Sequence, residues 1–123
     1  MTEVHTPTEI KLRRKSRVLE VAFADGARYE LTFEYLRVHS PSAEVRGHGP
    51  GQEVLQIAKE NVMITEVEPI GQYAVRLHFD DGHDTGLYAW KYLRELGETH
   101  AEKWAAYLAR LENLSYVRKP PAP

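Results

Sequence analysis

The sequence predicts an α+β domain of two layers: a small, mostly antiparallel sheet with short helices, and a C-terminal helix packed on it. Three observations carry this reading. Two stretches of alternating apolar residues each run into an Asp-Gly pair, at Asp25-Gly26 and Asp81-Gly82, the pattern of tight hairpin turns. Trp104, Tyr107, Leu108, Leu111 and Leu114 follow one another at helical spacing near the end of the chain. Finally, "FADGARYEL" followed by "YLR" is echoed by "FDDGHDTGL" followed by "YLR", with one residue inserted in the second copy.

In chain order, residues 1–16 have no apolar period and contain Pro7, which suggests a flexible arm whose basic "KLRRKSR" leads into the first strand. "RVLEVAFADGARYELTF" alternates through a hairpin, and a short helical turn is expected through Phe33, Tyr35 and Leu36. A loop with Pro41, Gly47, Gly49, Pro50 and Gly51 follows. A turn or short helix is expected near Glu53 to Lys59, then a strand from Val62 to Val67. "YAVRLHF" and "HDTGLY" form the second hairpin, and "AWKYLRELG" reads as a helix stopped by Gly97. Thr99 and Glu102 have capping-box spacing at the head of the last helix, 100–114. The domain is therefore expected over 17–115, with 116–123 as a flexible tail.

Bulk composition narrows the function classes. The 123 residues suit one domain, with 42% hydrophobic and 28% charged residues and a formal charge of −2. Nothing in that charge attracts nucleic acid, and no apolar run approaches the roughly 20 residues that span a bilayer. There are no cysteines, which removes disulfides and thiolate chemistry. The N-terminus lacks the apolar core of a secretory signal, so a cytoplasmic protein is the expectation.

The "DG" turns, the "YLR" helix ends and the loop "SPSAEVRGHGPG" together with "DDGHDTGLYAW" resemble the gamma-butyrobetaine hydroxylase-like N-terminal domain family, in its stand-alone bacterial form. The resemblance implies an α+β accessory or docking domain, since the family's hydroxylases carry their oxygenase activity in a separate domain. Other members accompany P-loop iron–sulfur carriers. Metal-bearing members hold a structural zinc with a C-P-C-x-x-C pattern and a histidine. Those positions fall here on Ser40, Ser42, Val45 and His83. Serine is a weak zinc ligand and valine none, so the resemblance implies the frame of a zinc loop without its thiolates.

The candidate chemistry is correspondingly sparse. His39, His48 and His83 offer an alternative three-nitrogen site for zinc or iron. His78 and Asp80 form an H-x-D pair on one strand face, but the chain has no room for the barrel that an oxygenase builds around such a pair. Asp80 and Asp81 read as turn formers. "GHGPG" lacks the G-K-[ST] ending of a phosphate loop. The favoured reading is a non-catalytic adaptor, without cofactor, that binds a protein partner through loop 39–51 and the His83 region. Ser40, Ser42, Glu44, Arg46, His48 and Trp90 are its candidate residues. Ser40 and Ser42 are expected to hold the loop by hydrogen bonds, and Arg46 and His48 to meet the partner.

Overall fold

The computed structural model describes residues 6–47 and 51–119. Strands β1 (Pro7–Arg13), β2 (Val18–Phe23) and β3 (Arg28–Thr32) lead into α1 (Phe33–Val38) and the single turn α2 (Ala43–Arg46). Strands β4 (Ile64–Ile70), β5 (Ala74–Phe79) and β6 (Leu87–Ala89) lead into α3 (Trp90–Glu98) and α4 (His100–Asn113). The class is α+β, as the sequence predicts, but the strands form two antiparallel three-stranded sheets, β1-β2-β3 and β4-β5-β6. No helix of the described residues is long and apolar enough to cross a membrane.

Each half of the chain is thus a three-stranded meander followed by a helix, and the two halves bind each other reciprocally. Both Asp-Gly turns close with the same bonds: Phe23 N–H to Ala27 O (2.9 Å) and Phe79 N–H to His83 O (3.0 Å). Gly26 and Gly82 take φ of +93° and +89°, which a side chain would oppose. Arg37, at the end of α1, reaches the second turn at Asp81 (2.9 Å), while Arg94, its counterpart in α3, reaches the first turn at Asp25 (2.8 Å). Tyr35 donates to Leu96 O and Tyr92 donates to His39 O, both at 2.7 Å. Contacts in which i meets j and j meets i are those of a two-fold interface. The internal echo is therefore a duplicated unit whose copies pack face to face.

That interface is the core. Leu19, Val21 and Phe23 of β2 and Val75, Leu77 and Phe79 of β5 join Leu31, Phe33, Tyr35, Leu93 and Leu96 in one buried cluster. Gly97 does not stop α3, which continues to Glu98; instead a Cβ there would overlap the ring of Tyr29, so its absence lets the helix lie close to β3.

Five further expectations need correction. Among the described residues the N-terminal segment is no free arm: Pro7–Arg13 pairs along β2, with Ile10 and Leu12 against the core. No helix forms over 53–59; a short connector runs there, fixed by Val54 N–H to Val45 O (2.7 Å) and Tyr107 Oη to Gln56 O (2.7 Å). Thr99 is the C-cap of α3 and donates to Glu95 O (2.7 Å), so no capping box opens α4. The tail is pinned through Lys119: Tyr116 Oη donates to Glu60 (2.7 Å), Arg118 to Glu34 (2.9 Å) and Lys119 N–H to Glu60 (2.9 Å). Glu34 and Glu60 are buried acids, and the tail supplies the donors they require. The stripe on α4 is also narrower than its spacing implies. Tyr107 and Leu111 are buried against Val38, but Leu108 is 38% and Leu114 59% exposed.

Candidate functional site

The loop after α1 is built by short side chains that satisfy backbone groups. Ser42 takes extended backbone and caps α2, its Oγ accepting from Glu44 N–H (3.2 Å). The same Oγ lies 2.7 Å from Thr85 Oγ1, which ties the loop to the segment between the second turn and β6. Ser40 is 1% exposed, and its Oγ accepts from Ser42 N–H (3.2 Å). Val45 is buried beneath α2.

Ser40 Oγ also lies 2.8 Å from His83 Nε2, and His83 Nδ1 lies 3.0 Å from Glu44 Oε1. The carboxylate accepts, so Nδ1 carries the proton and Nε2 is the bare acceptor of the serine hydroxyl. The chain of donation runs Ser42 N–H to Ser40, Ser40 O–H to His83, and His83 N–H to Glu44. Burial, with Arg37 nearby, pushes the His83 pKa down, opposed by Glu44, so the ring is neutral near pH 7. Burial raises the Asp81 carboxyl, but Lys59, the His83 N–H and Arg37 outweigh it and hold its pKa at about 2.

Serine, histidine and acid in this order form the arrangement that activates an acyl-transfer nucleophile. Here Gly86 presses on the hydroxyl, since a Cβ at that position would overlap Ser40 Oγ, and the serine is buried. The hydroxyl is therefore screened from solvent, unlike an exposed nucleophile.

Nor do these residues fit the zinc that the family frame implies. The hydroxyls of Ser40 and Ser42 are engaged with neighbouring side chains and amides, Val45 has no donor atom, and only His83 supplies nitrogen. The three-histidine alternative is not assembled by the described residues. His39 donates from Nδ1 to Tyr35 O (2.9 Å) and packs at a tilt against the Tyr35 ring, its pKa lowered mainly by burial. His48 lies outside the described residues. Among those described, no three His, Cys, Asp or Glu side chains form a metal-sized group.

Beside the pinned loop, the loop, the 53–56 connector and α4 enclose a groove of about 890 Å³. Val38, Val45 and Tyr107 contribute its apolar lining. Arg46 stands over the ring of Tyr92, 4.9 Å from the centroid, and Lys103 and Arg110 line the α4 side. Lys103 pairs with Glu95 at 3.5 Å, and Glu53 also lines the groove. Ser40, Ser42, Glu44 and His83 meet through the loop's hydrogen bonds, and Arg46 lines the groove beside them. Trp90 is elsewhere: its Nε1 donates to Gln72 O (2.8 Å), and its ring lines the cleft between β1 and β4. Glu44's role as partner of His83 was not legible in motif spacing, because it depends on α2 packing against the second turn; nor were the groove residues Lys103 and Arg110, which depend on how α4 folds back.

The model of the gamma-butyrobetaine hydroxylase-like, N-terminal family matches residues 10–94. A crystal structure of a protein of unknown function from Acidithiobacillus ferrooxidans, belonging to the DUF971 family, is 47% identical with a TM-score of 0.63, over 75% of this chain and 92% of that one. Two solution NMR structures are 49% and 46% identical, with TM-scores of 0.81 and 0.82. They cover 99% and 98% of this chain and 93% and 95% of theirs. No curated protein matches the chain.

Proposed function

The chain belongs to the gamma-butyrobetaine hydroxylase-like N-terminal domain family, and from that premise we propose that it is a non-catalytic accessory domain that binds a partner protein through the groove beside residues 38–47. The observation that carries this reading is the groove itself, a concave surface of mixed aromatic, aliphatic and cationic lining next to a loop fixed by buried hydrogen bonds. A wall held this way keeps its shape before a partner arrives, which reduces the entropy lost on association. The buried serine argues against acyl transfer, and the occupied hydroxyls argue against a zinc-shaped loop.

A photo-crosslinking side chain at Val54, exposed on the groove-lining connector, tests it in cells against the same group at Tyr73, exposed at the β4–β5 turn. The expected result is a discrete adduct from position 54 that is absent from position 73 and depleted by Arg46→Ala. No adduct at 54, or the same adducts from both positions, contradicts the reading.

A further inference from the structure

We infer that the segment this groove accepts is acidic, carrying at least two carboxylates beside a large aliphatic side chain; this rests on the partner-binding reading above. The charges of the lining point to such a segment. Arg13, Arg28, Arg37, Arg76, Arg94 and Arg118 each meet a carboxylate within the fold. Arg46 and Arg110 line the groove, are exposed, and form no ion pair among the described residues. Lys103 is matched by Glu95, which leaves Glu53 as the carboxylate facing the two arginines. Glu53 accepts from the Gly51 amide (3.4 Å) and is exposed, so one negative charge remains against two guanidinium groups. His39 adds no charge, because burial keeps its ring neutral near pH 7.

Geometry sharpens this assignment. Arg46 lies over the Tyr92 ring and bonds its hydroxyl, contacts that hold the exposed guanidinium at the groove. A planar guanidinium already fixed in this way loses little freedom when it grips a carboxylate bidentately. Val38, Val45 and Tyr107 add apolar lining to the same groove. An aliphatic side chain there removes water from around the ion pairs and strengthens them. A basic segment would face two unpaired arginines, and a wholly apolar one would bury them without partners.

Selection of random peptides displayed on phage against the full chain is the test, followed by anisotropy titration of the winning peptides, labelled with fluorescein. The winners are expected to carry two or more Asp or Glu residues flanking Leu, Ile or Met. Their binding should fall at least tenfold with Arg46→Ala or Arg110→Ala, and fall again with added salt. Both side chains are exposed, so the variants should fold; circular dichroism checks this. Winners that are neutral or basic, yet lose binding when Val54→Asp is placed at the groove, would overturn the acidic assignment and leave the partner-binding reading standing. No enrichment, or enrichment indifferent to every groove variant, would overturn both.

Discussion

Ser40→Ala probes the loop where its hydrogen bonds converge. The hydroxyl is both the donor to His83 Nε2 at 2.8 Å and the acceptor from Ser42 N–H at 3.2 Å, and no solvent reaches it to take over either role. His83 has a side chain only 3% exposed, so its bare nitrogen would be left unpaired, as would the amide of buried Ser42. Each buried group left unsatisfied costs about 1–3 kcal/mol, and the two together should cost about 2–6 kcal/mol. With a urea slope of about 1.5 kcal/mol/M, the midpoint should fall by roughly 1.3–4 M at unchanged slope. Ser42→Ala is the internal comparison. It removes the cap of a single helical turn and a bond to the exposed Thr85, and should cost only about 1 kcal/mol. Gly86→Ala should resemble Ser40→Ala, because its methyl group occupies the space of the hydroxyl. The assay is equilibrium urea unfolding followed by tryptophan fluorescence. A Ser40→Ala midpoint within about 0.3 M of the parent, an energy near 0.5 kcal/mol on that slope, would refute the claim that this hydroxyl holds the loop.

Three further outcomes follow from the fold. Leu111→Ala should cost about 2–5 kcal/mol, because Leu111 is 2% exposed, whereas Leu108→Ala, at 38% exposure, should cost under about 1 kcal/mol; equal urea midpoints would mean α4 packs on another face. Asp25 and Asp81 are held at about pKa 2, Asp25 chiefly by its bond to Arg94. The folded state thus binds fewer protons than the unfolded state between about pH 4 and pH 2, so their stabilisation is present above about pH 4 and lost as pH falls through that window. The midpoint deficit of Asp81→Asn at about pH 6 should shrink near pH 2, and a deficit constant with pH would exclude the reciprocal arginine pairs as its cause. Tyr35→Phe and Tyr92→Phe each remove one half of a mirrored pair of bonds between the halves, and each should cost about 1 kcal/mol by thermal melting. A loss confined to one of them would show that the interface is not used symmetrically.

Most of the meander-plus-helix architecture was legible in local chemistry. The Asp-Gly turns, the alternation of β2 and β5 and the spacing on α4 are near-neighbour patterns, and the internal echo announced two equivalent units. What failed depended on tertiary contact. Pro7–Arg13 looks irregular alone and becomes a strand only because β2 offers an open edge. Thr99 has the residue type of an N-cap, but α3 ends on it and claims its hydroxyl. "VRKPPAP" carries a tail composition, yet Arg118 is recruited by the buried Glu34. At the site, Ser40, Ser42 and His83 were identifiable by register with the family's zinc loop. The groove was not, since its α4 wall comes from residues far along the chain that carry no motif.

The account depends most on the state of His83. Long-range nitrogen–proton correlation spectra of protein uniformly labelled with nitrogen-15 read its ring directly at about pH 7. A neutral ring protonated at Nδ1, with a bare Nε2 and a slowly exchanging Ser40 hydroxyl proton, is the predicted result. A ring protonated on both nitrogens, or one whose Nε2 signal changes when a chelator strips bound metal, would contradict a loop held by hydrogen bonds in place of coordination.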